Sequence, residues 1–460
     1  MSARRYAQVG VGDRSRLYLE AMTDRFADVA EPVALCDKNE GRLRLRARQL
    51  RARGVDVKTY RETAFERMIA ETRPEVVIVT TVDATHDHYI CRAMELGCDV
   101  ITEKPMTTDA RKCRRILDTQ KKTGRRCRVT FNYRYAPPRT QVKALLMSGV
   151  IGNVISVDFH WLLDTHHGAD YFRRWHRNKR NSGGLLVHKA THHFDLINWW
   201  LSTVPARVYA TGARNFYRPE TAERYGFTNR AARCLDCPEA SRCPFYLDLR
   251  AHPRLKAQYL DNERYDGYVR DRCVFSDEID IEDTLSLSVN YRSGATLTYS
   301  LHAFMPWEGY VIAFNGSRGR LEHRMEETVY ISGDDSIPGE AIADATYIRV
   351  LPHAQPAYNV EIKGGKGGHG GADPLMLQDL FAPSGEDRYK RAADHRAGAW
   401  SILTGVAGNR SLETGRPVRI DELIQGLGLP DYPPMPGPTE AIDPRPFKVR
   451  AWTPGRPSPS

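Results

Sequence analysis

The fold of this chain is decided near its N-terminus, by the stretch Tyr6-Ala7-Gln8-Val9-Gly10-Val11-Gly12-Asp13-Arg14-Ser15. A strand-like run leads into two glycines, and apolar residues at helical spacing follow. Because glycine allows a tight turn, backbone N–H groups at the start of the helix can approach a pyrophosphate. Ser15 stands where this motif has its third glycine, a position that needs a small residue for close packing of helix on strand. The stretch therefore predicts a strand–turn–helix unit in which Gly10, Gly12, Asp13, Arg14 and Ser15 bind a dinucleotide.

A second predicted strand, over 32–36, ends at Asp37, which lies 25 positions after Gly12. An acidic residue near this offset accepts hydrogen bonds from the hydroxyls of the adenosine ribose. Asp37 would repel a 2′-phosphate, so the sequence favours NAD over NADP. The adjacent Lys38 leaves NADP open.

Strand-like and helix-like segments continue to alternate as far as a closing strand over 127–131. This alternation predicts an α/β fold with a doubly wound sheet, and a dinucleotide-binding domain over 1–131. The predicted strand over 76–80 is followed by a loop with Thr81 and His86, which we assign to the cofactor site. For His86 the alternative is a helix cap or a packing residue.

Residues 101–105 read Ile-Thr-Glu-Lys-Pro and end another predicted strand, so Glu103 and Lys104 lie at its carboxyl end. In open α/β sheets ligands bind at that edge. Pro105 has a fixed φ and restricts the residue before it, which holds the ammonium in place. We expect Lys104 to carry chemistry and both residues to contact the cofactor. The alternative is a solvated lysine at a strand end.

A helix predicted over 185–201 carries His188, His192 and Asp195 at i, i+4 and i+7, on one face. Histidines four apart on a helix can bind a metal. One of them can instead transfer a proton when its neighbour orients it. The spacing leaves both interpretations open.

The chain resembles the Gfo/Idh/MocA oxidoreductases in three motifs: Gly10-Val11-Gly12, Glu103-Lys104-Pro105, and the helix after Gly183-Gly184 that bears His192 and Asp195. The resemblance implies an N-terminal Rossmann domain and a C-terminal α+β domain. The second domain would hold an open, mainly antiparallel sheet with helices on one face, which mediates homo-oligomers, here a dimer or tetramer. Family members typically use NAD(P) to oxidise or reduce a sugar or cyclitol carbon.

Within this resemblance, Lys104 matches the catalytic lysine of the family and His192 matches its catalytic histidine. The residue four before that histidine is often aspartate in the family, whereas here it is His188. This departure leaves open a metal-assisted site or a site with differently tuned proton transfer. We therefore count His188 among the catalytic candidates.

Candidate substrate contacts are arginine, aromatic and histidine side chains, which suit a sugar's hydroxyls and apolar face: Arg134, Tyr171, Trp175, His193 and His369. His369 lies in a glycine-rich stretch over 364–374 that lacks the Gly-Lys-Ser/Thr of a nucleotide P-loop. We interpret this stretch as a loop folded toward the active site, with a flexible linker as the alternative. Asn132 is assigned to the cofactor.

Four of the nine cysteines cluster in the sequence, at Cys234, Cys237, Cys243 and Cys273. A Cys-x2-Cys pair followed by two further cysteines resembles a four-thiolate structural zinc site. Reduced, unligated thiols and an iron–sulfur cluster are the alternatives. The polar, arginine-rich segment over 216–277 reads as an insertion that zinc would hold in shape, and we assign it no catalytic role.

Length and composition limit the remaining function classes. The 460 residues suggest two or three domains, here 1–131 and 132–429, with a proline-rich tail over 430–460 lying on the surface or on a neighbouring subunit. The 67 basic and 57 acidic residues give a net charge of +10 but are dispersed, without the spacing of a DNA-binding motif. No run approaches the roughly 18 apolar residues of a membrane span. With no signal peptide before the first strand, we expect a cytoplasmic protein that binds neither nucleic acid nor membrane.

Two local predictions concern structure alone. Arginines cluster on a helix-like stretch over 42–53, where we expect a solvated face. Segments over 281–290, 295–301, 310–315 and 328–331 are predicted strands of the C-terminal sheet.

These observations together predict an NAD-dependent oxidoreductase that acts on a hydroxyl carbon of a sugar, glycoside or cyclitol. Lys104 would hydrogen-bond the reacting hydroxyl, and His192 would accept its proton. One alternative is an NAD-dependent glycoside hydrolase that works by transient oxidation and elimination. A second alternative is a dinucleotide-binding regulator without catalytic activity.

Overall fold

The computed structural model describes residues 3–329, 339–365, 367–383 and 385–437, arranged around two β-sheets. Residues 438–460 of the predicted tail lie outside this description, as do residues 330–331 of the strand predicted over 328–331. Within the described ranges, no helix is both long and apolar enough to cross a membrane.

The first sheet is built mainly from the N-terminal third of the chain. Its elements alternate as predicted: β1 (Arg4–Val9), α1 (Ser15–Thr23), β2 (Ala30–Asp37), α2 (Glu40–Arg51), β3 (Lys58–Arg61), α3 (Phe65–Thr72), β4 (Val76–Val79), α4 (His86–Glu95), β5 (Asp99–Thr102), α5 (Ala110–Thr123) and β6 (Cys127–Val129). These strands are parallel and lie in the order β6-β5-β4-β1-β2-β3. The order reverses beside β1, which opens a ligand crevice at the carboxyl ends of the strands. The predicted Rossmann domain is confirmed.

Strand β4 shows why this sheet forms. It reads Val76-Val77-Ile78-Val79, and all four residues are buried. Parallel sheets are covered by helices on both faces, so their central strands are continuously apolar.

The second sheet is mainly antiparallel, with β7 and β10 as its parallel pair. Its strands are β7 (Val154–Asp164), β8 (Pro205–Ala213), β9 (Thr284–Tyr291), β10 (Thr296–Met305), β11 (Glu308–Gly316), β12 (Gly319–Glu327), β13 (Tyr347–Pro352), β14 (Tyr358–Val360) and β16 (Val418–Arg419). They lie in the order β14-β13-β12-β11-β7-β10-β9-β8-β16. The predicted C-terminal sheet is confirmed. Residues 328 and 329 of the strand predicted over 328–331 do not form a strand, because β12 ends at Glu327.

Between β6 and β8 the chain forms the helices α6 (Pro137–Met147), α7 (Thr165–Arg173), α8 (Lys179–Ser182), α9 (Leu185–His188) and α10 (Ala190–Leu201). The single helix predicted over 185–201 is therefore two helices that meet at Lys189. Every residue of α10 is buried, because this helix packs inside the protein and not on its surface.

The insertion predicted over 216–277 lies between β8 and β9 and contains α11 (Pro219–Arg224), α12 (Pro253–Gln258) and α13 (Glu263–Asp266). It covers one side of α2, and this corrects the prediction of a solvated arginine face there. Arg42 and Arg46 are buried, whereas Arg44 and Arg48 of the same helix are exposed.

The chain finally returns to the first sheet through α14 (Gly368–Phe381) and β15 (Ala393–Asp394), which precede α15 (His395–Thr414). The ring of Phe381 lies 5.3 Å from that of Tyr6 and 5.4 Å from that of Phe26, and β15 pairs antiparallel with β6. Residues far apart in the sequence therefore complete the Rossmann core.

Candidate active site

Lys104 lies just beyond the end of β5, at the carboxyl edge of the first sheet. Its Nζ atom is 3.5 Å from Nε2 of His188 and donates to the His188 carbonyl oxygen at 3.2 Å. Burial lowers the pKa of Lys104 to about 8, against the opposing charges of Asp83 and Glu103. A lysine near neutrality can exchange a proton at physiological pH.

A buried carboxylate holds His188 in this position. The Nδ1 atom of His188 lies 2.5 Å from Oδ2 of Asp83, and the two side chains are 10% and 4% exposed. Burial raises the pKa of Asp83 and lowers that of His188, so the environment disfavours charge on either side chain. Asp83, His188 and Lys104 thus form one hydrogen-bonded chain, in which His188 of the second domain bridges two residues of the first.

Asp83 is the functional candidate that the sequence analysis missed. It follows β4 by four positions, in a short 3-10 turn over Asp83–Thr85. The signal was present, because a carboxylate just after a buried parallel strand lies at the ligand-binding edge of the sheet.

His192 lies on α10 and stacks on Tyr133, with ring centroids 4.1 Å apart and an interplanar angle of 13°. Burial, together with the charge of Lys104, holds the pKa of His192 well below its usual range. Its imidazole is therefore neutral at pH 7 and can accept a proton. The Nδ1 atom of His192 has no hydrogen-bond partner among the described residues.

Asp195, the remaining residue of the predicted helical face, is the ion-pair partner of Arg134. It forms a bidentate ion pair with Arg134, with N–O distances of 2.7 and 2.6 Å, and both side chains are 1% exposed. Burial raises the pKa of Asp195 to about 6 in spite of this partner. The structure thus places Arg134 in the core, away from Lys104.

His193 also lies in the core. It stacks on Trp161 at 3.9 Å between ring centroids, and its Nδ1 atom lies 2.7 Å from the hydroxyl of Tyr299. Tyr171 and Trp175, in contrast, lie beside the candidate site. Their ring centroids are 5.5 and 5.7 Å from that of His188.

The glycine-rich stretch with His369 folds back onto the site. His369 Nδ1 lies 2.9 Å from Asp373 Oδ2, and Asn132 donates from Nδ2 to Asp373 Oδ1 at 2.7 Å. The His369 ring is 5.7 Å from that of Tyr133, which carries His192 on its face. His369 has a φ of 58°, so the chain begins α14 with a left-handed turn.

Glu103 contacts protein groups. It accepts hydrogen bonds from Arg14 Nε at 2.6 Å and from the Tyr18 hydroxyl at 2.5 Å. Burial alone would raise the pKa of Glu103, but Arg14 and Tyr18 reverse this and keep it below the usual range. The carboxylate therefore fixes Arg14 of the glycine turn to the Lys104 loop.

The glycine turn fits a dinucleotide. Gly10 has a φ of +85°, and a Cβ there would come within 2.6 Å of the Thr80 carbonyl, so the two strands meet closely at the turn. A Cβ on Gly12 would meet no heavy atom within 4 Å, which leaves space for a pyrophosphate at this point. Ser15, the substitute for the third glycine, is fully buried and donates to the Gly12 carbonyl at 2.7 Å.

Asp37 lies at the end of β2, directly beside this turn. Its two carboxylate oxygens accept hydrogen bonds from the backbone N–H groups of Val11 and Asn39, each at 2.7 Å. The carboxylate is thus held at the position from which a ribose can be bound.

Thr81 and His86 join the β4 loop to the Lys104 loop. One ring nitrogen of His86 lies 3.1 Å from the Thr81 carbonyl oxygen and the other lies 2.8 Å from that of Pro105. The Lys104–Pro105 peptide is cis. His86 is 1% exposed, so its contacts with the protein position the two loops.

The four clustered cysteines line one small cavity of about 20 Å³. They are free thiols, and burial raises the pKa of Cys234, Cys243 and Cys273. Among residues 3–329, 339–365, 367–383 and 385–437, no group of three or more histidine, cysteine, aspartate or glutamate side chains could hold a metal ion. The predicted zinc site is therefore not supported, and neither is a metal at the histidine pair. Sequence spacing can bring cysteines together without directing their sulfur atoms to one centre.

Two family models match this chain. The model described as "Oxidoreductase family, NAD-binding Rossmann fold" of the Gfo/Idh/MocA proteins covers residues 4–131. The model described as "Oxidoreductase family, C-terminal alpha/beta domain" covers residues 143–420.

Individual proteins are similar over different lengths. The chain is 37% identical over 421 residues to the protein YteT of Bacillus subtilis (strain 168), across 89% of this chain and 96% of YteT. It is 28% identical over 201 residues to an inositol 2-dehydrogenase/D-chiro-inositol 3-dehydrogenase of Lactiplantibacillus plantarum, across 44% of this chain and 53% of that protein.

The fold is shared with solved structures. The WlbA dehydrogenase from Bordetella pertussis, solved in complex with NADH and UDP-GlcNAcA, matches with a TM-score of 0.59 at 18% identity. The match covers 91% of this chain and 98% of that structure.

Proposed function

Because this chain belongs to the Gfo/Idh/MocA oxidoreductase family, we propose that it transfers hydride between NAD and a hydroxyl carbon of a sugar, glycoside or cyclitol. The observation that carries this proposal is the hydrogen-bonded chain Asp83–His188–Lys104 at the carboxyl edge of the Rossmann sheet. That edge is also where the glycine turn presents open space for a pyrophosphate.

The cofactor would be held by the turn at Gly10 and Gly12, by Asp37 at the ribose, and by the loops that carry Thr81 and Lys104. When bound, the nicotinamide supplies the acceptor or donor of the hydride. Asp37 lies close to the position of the ribose hydroxyls, and its negative charge disfavours a 2′-phosphate, so NAD is the proposed cofactor.

Lys104 and His192 have different roles at the substrate hydroxyl. The ammonium of Lys104 donates a hydrogen bond to the reacting oxygen and stabilises negative charge that develops there. His192 is neutral and accepts the hydroxyl proton. His188, held by Asp83, fixes the Lys104 side chain, which would otherwise have several rotamers.

The substrate would lie between aromatic and polar side chains. Tyr171 and Trp175 lie on the His188 side, and the loop of His369 lies on the Tyr133 side. Aromatic faces pack on the apolar face of a sugar ring, while histidine and tyrosine bond its hydroxyls. We assign no substrate contact to the buried residues Arg134 and His193.

The test is to mix the purified protein with NAD and a panel of sugars, cyclitols and aryl glycosides. Nicotinamide absorbance and release of the aryl group are followed together, with Lys104→Ala as the control variant. NADH formation that depends on Lys104 is the expected result for a dehydrogenase.

Two other results would replace this proposal. Release of the aryl group without NADH accumulation identifies a glycoside hydrolase that oxidises its substrate transiently. Cofactor binding without either signal, over the whole panel, favours a dinucleotide-binding regulator.

We also propose that the protein works in the cytoplasm and forms a homo-oligomer. All nine cysteines are free thiols, which suits the reducing cytoplasm. The outward face of the second sheet would pair with a second copy of the chain, and light scattering in solution measures that assembly.

A further inference from the structure

The insertion over 216–277 is anchored in the second domain. Tyr217 and Phe275 near its two ends, together with Phe245 from its middle, are buried in the same core as the large sheet. The middle of the insertion has a small core of its own, which includes Leu249, Leu255 and Tyr259. Its tip is therefore a compact unit carried on a fixed base.

The tip reaches across to the glycine turn of the first domain. Gln258 donates from Nε2 to the Val11 carbonyl oxygen at 2.9 Å, and Arg254 forms an ion pair with Asp13. Val11 and Asp13 lie on either side of Gly12, the residue with open space for a pyrophosphate.

The same tip also reaches α2, which follows the ribose acid. Asn39 donates from Nδ2 to the Asn262 carbonyl oxygen at 2.9 Å, and Arg42 is ion-paired with Asp266. Asp266 is 3% exposed and Arg42 is 8% exposed. Arg42 Nη2 lies 3.9 Å from Asp37 Oδ1, so the ion pair between Arg42 and Asp266 lies next to the proposed ribose position.

Arg46 links the two sets of contacts. Its Nη2 atom donates to Gln258 Oε1 at 3.1 Å and to the Gly12 carbonyl oxygen at 3.3 Å. Arg254 and Gln258 contact the glycine turn, while Asn262 and Asp266 contact α2 and the residue before it. Together these contacts cover the edge of the Rossmann domain from the proposed pyrophosphate position to the proposed ribose position.

The contact is polar on both sides, which allows it to open. The outer core of the Rossmann domain, an apolar cluster that includes Tyr6, Leu35 and Phe381, contains no described residue of the insertion. The packing is nevertheless close, since a Cβ on Gly41 would fall 1.9 Å from Asn262 Oδ1. A polar interface between domains separates at lower cost than an apolar one.

We propose that the segment Pro253–Asp266 is a clasp that closes over the NAD site and slows release of the cofactor. This inference rests on the proposed function, because it takes the dinucleotide as the ligand of the glycine turn. Arg254, Gln258 and Asp266 then act as retention residues for the cofactor and take no part in the chemistry.

Release of the cofactor tests the clasp directly. The full-length protein is loaded with NADH, and excess NAD displaces it in a stopped-flow instrument that follows nicotinamide fluorescence. In Gln258→Ala and Asp266→Asn, we expect release to be about ten-fold faster than in the wild type, because each loses a buried polar contact. Arg48→Ala, on the exposed face of α2, is the matched control and should keep the wild-type rate.

Hydrogen exchange provides a second measurement that needs no variant. NAD binding should protect the backbone amides of 253–266 in the wild-type protein, because a closed clasp opens less often. Equal release rates in all variants, with only a lower unfolding temperature, would show that the insertion is a structural strut and would overturn the clasp. Unprotected amides would do the same. Failure of the wild type to bind NADH would instead remove the proposed function.

Discussion

His188 Nδ1 lies 2.5 Å from Asp83 Oδ2, and this contact joins a residue of the second domain to a residue of the first beside Lys104. Proteins of the Gfo/Idh/MocA family often have aspartate at the position of His188. In this chain a carboxylate is still present, but it comes from the β4 loop and acts through an imidazole. The contact therefore predicts that Asp83 is a positioning residue for Lys104.

Replacing Asp83 by asparagine should lower kcat by about 100-fold. The amide keeps the shape of the side chain but has an NH2 group in place of one carboxyl oxygen, so it orients His188 less firmly. The KM for NAD and the unfolding temperature should change little. Steady-state kinetics and thermal unfolding measure the three quantities.

A double variant separates positioning from structure. Asp83→Asn combined with His188→Asp returns the carboxylate to the residue next to Lys104. We expect it to recover about ten-fold of the lost kcat. A kcat equal to that of the wild type in Asp83→Asn alone would mean that this contact only packs the domains together.

The pH profile should report Lys104. Its pKa is about 8, so its side chain is charged below that pH and loses the charge as the pH rises through it. Because we propose that the charged form stabilises the reacting oxygen, kcat/KM for sugar oxidation should fall above about pH 8. His192 stays neutral over the same interval, since burial keeps its pKa well below the usual range.

Lys104→Arg is the matched variant for this profile, because arginine keeps its charge to above about pH 12. The variant should be slow but should show no fall between pH 8 and 10. A rate that instead rises through pH 8 in the wild type would identify the neutral lysine as the proton acceptor.

Coenzyme preference should depend on Asp266. This carboxylate engages Arg42, the guanidinium next to the ribose acid. In Asp266→Asn, Arg42 is freed to bind a 2′-phosphate, so the ratio of kcat/KM for NADP to that for NAD should rise about ten-fold. Asp261→Asn, which removes an exposed ion pair of the same insertion, should leave the ratio unchanged.

Acid should loosen the insertion through Asp170. Arg270 Nη1 lies 2.7 Å from Asp170 Oδ1, and Arg174 donates a hydrogen bond to Asp170 Oδ2 at 3.2 Å. Burial opposes ionisation, but these arginines lower the pKa of Asp170 from 3.8 to about 2. A depressed carboxyl pKa adds stability at pH values above the unfolded pKa, and this stability is lost as the pH falls from about 4 to about 2.

Asp170→Asn provides the comparison. Its unfolding temperature should be lower at pH 7, because breaking a buried ion pair costs about 3–5 kcal/mol. Between pH 4 and pH 2 the variant should lose less stability than the wild type. Parallel curves for the two proteins over that interval would exclude Asp170 as the source.

The Rossmann domain was predictable because its signals are local. The glycine turn, the acid after β2 and the Lys-Pro pair each follow a strand within a few residues, so neighbouring positions in the sequence suffice to place them. Lys104 Nζ lies 3.5 Å from His188 Nε2, although the helix predicted to carry both His188 and His192 is divided at Lys189. Asp83 carries the same strand-end signal as Lys104, because it follows the buried strand β4 by four positions.

What the sequence could not show depends on long-range packing. Arg42 and Arg46 read as a solvated face, because nothing local indicates that residues more than 200 positions later cover them. The charge of Arg134 suggested a substrate contact, yet its partner is a buried carboxylate 61 positions away. The cysteine spacing likewise predicted proximity but not the direction of the sulfur atoms.

The return of α14 and β15 to the first sheet has a consequence for biosynthesis. Leu377 and Phe381 belong to the outer core of the Rossmann domain, and Asp373 lies between Asn132 and Arg14. A ribosome that has translated only the first 131 residues has made the six parallel strands of the first sheet but not α14, which completes this core. The nascent domain must therefore keep part of this core uncovered until residue 381 has been translated. Chaperone capture of ribosome-bound chains should end only after α14 has left the exit tunnel.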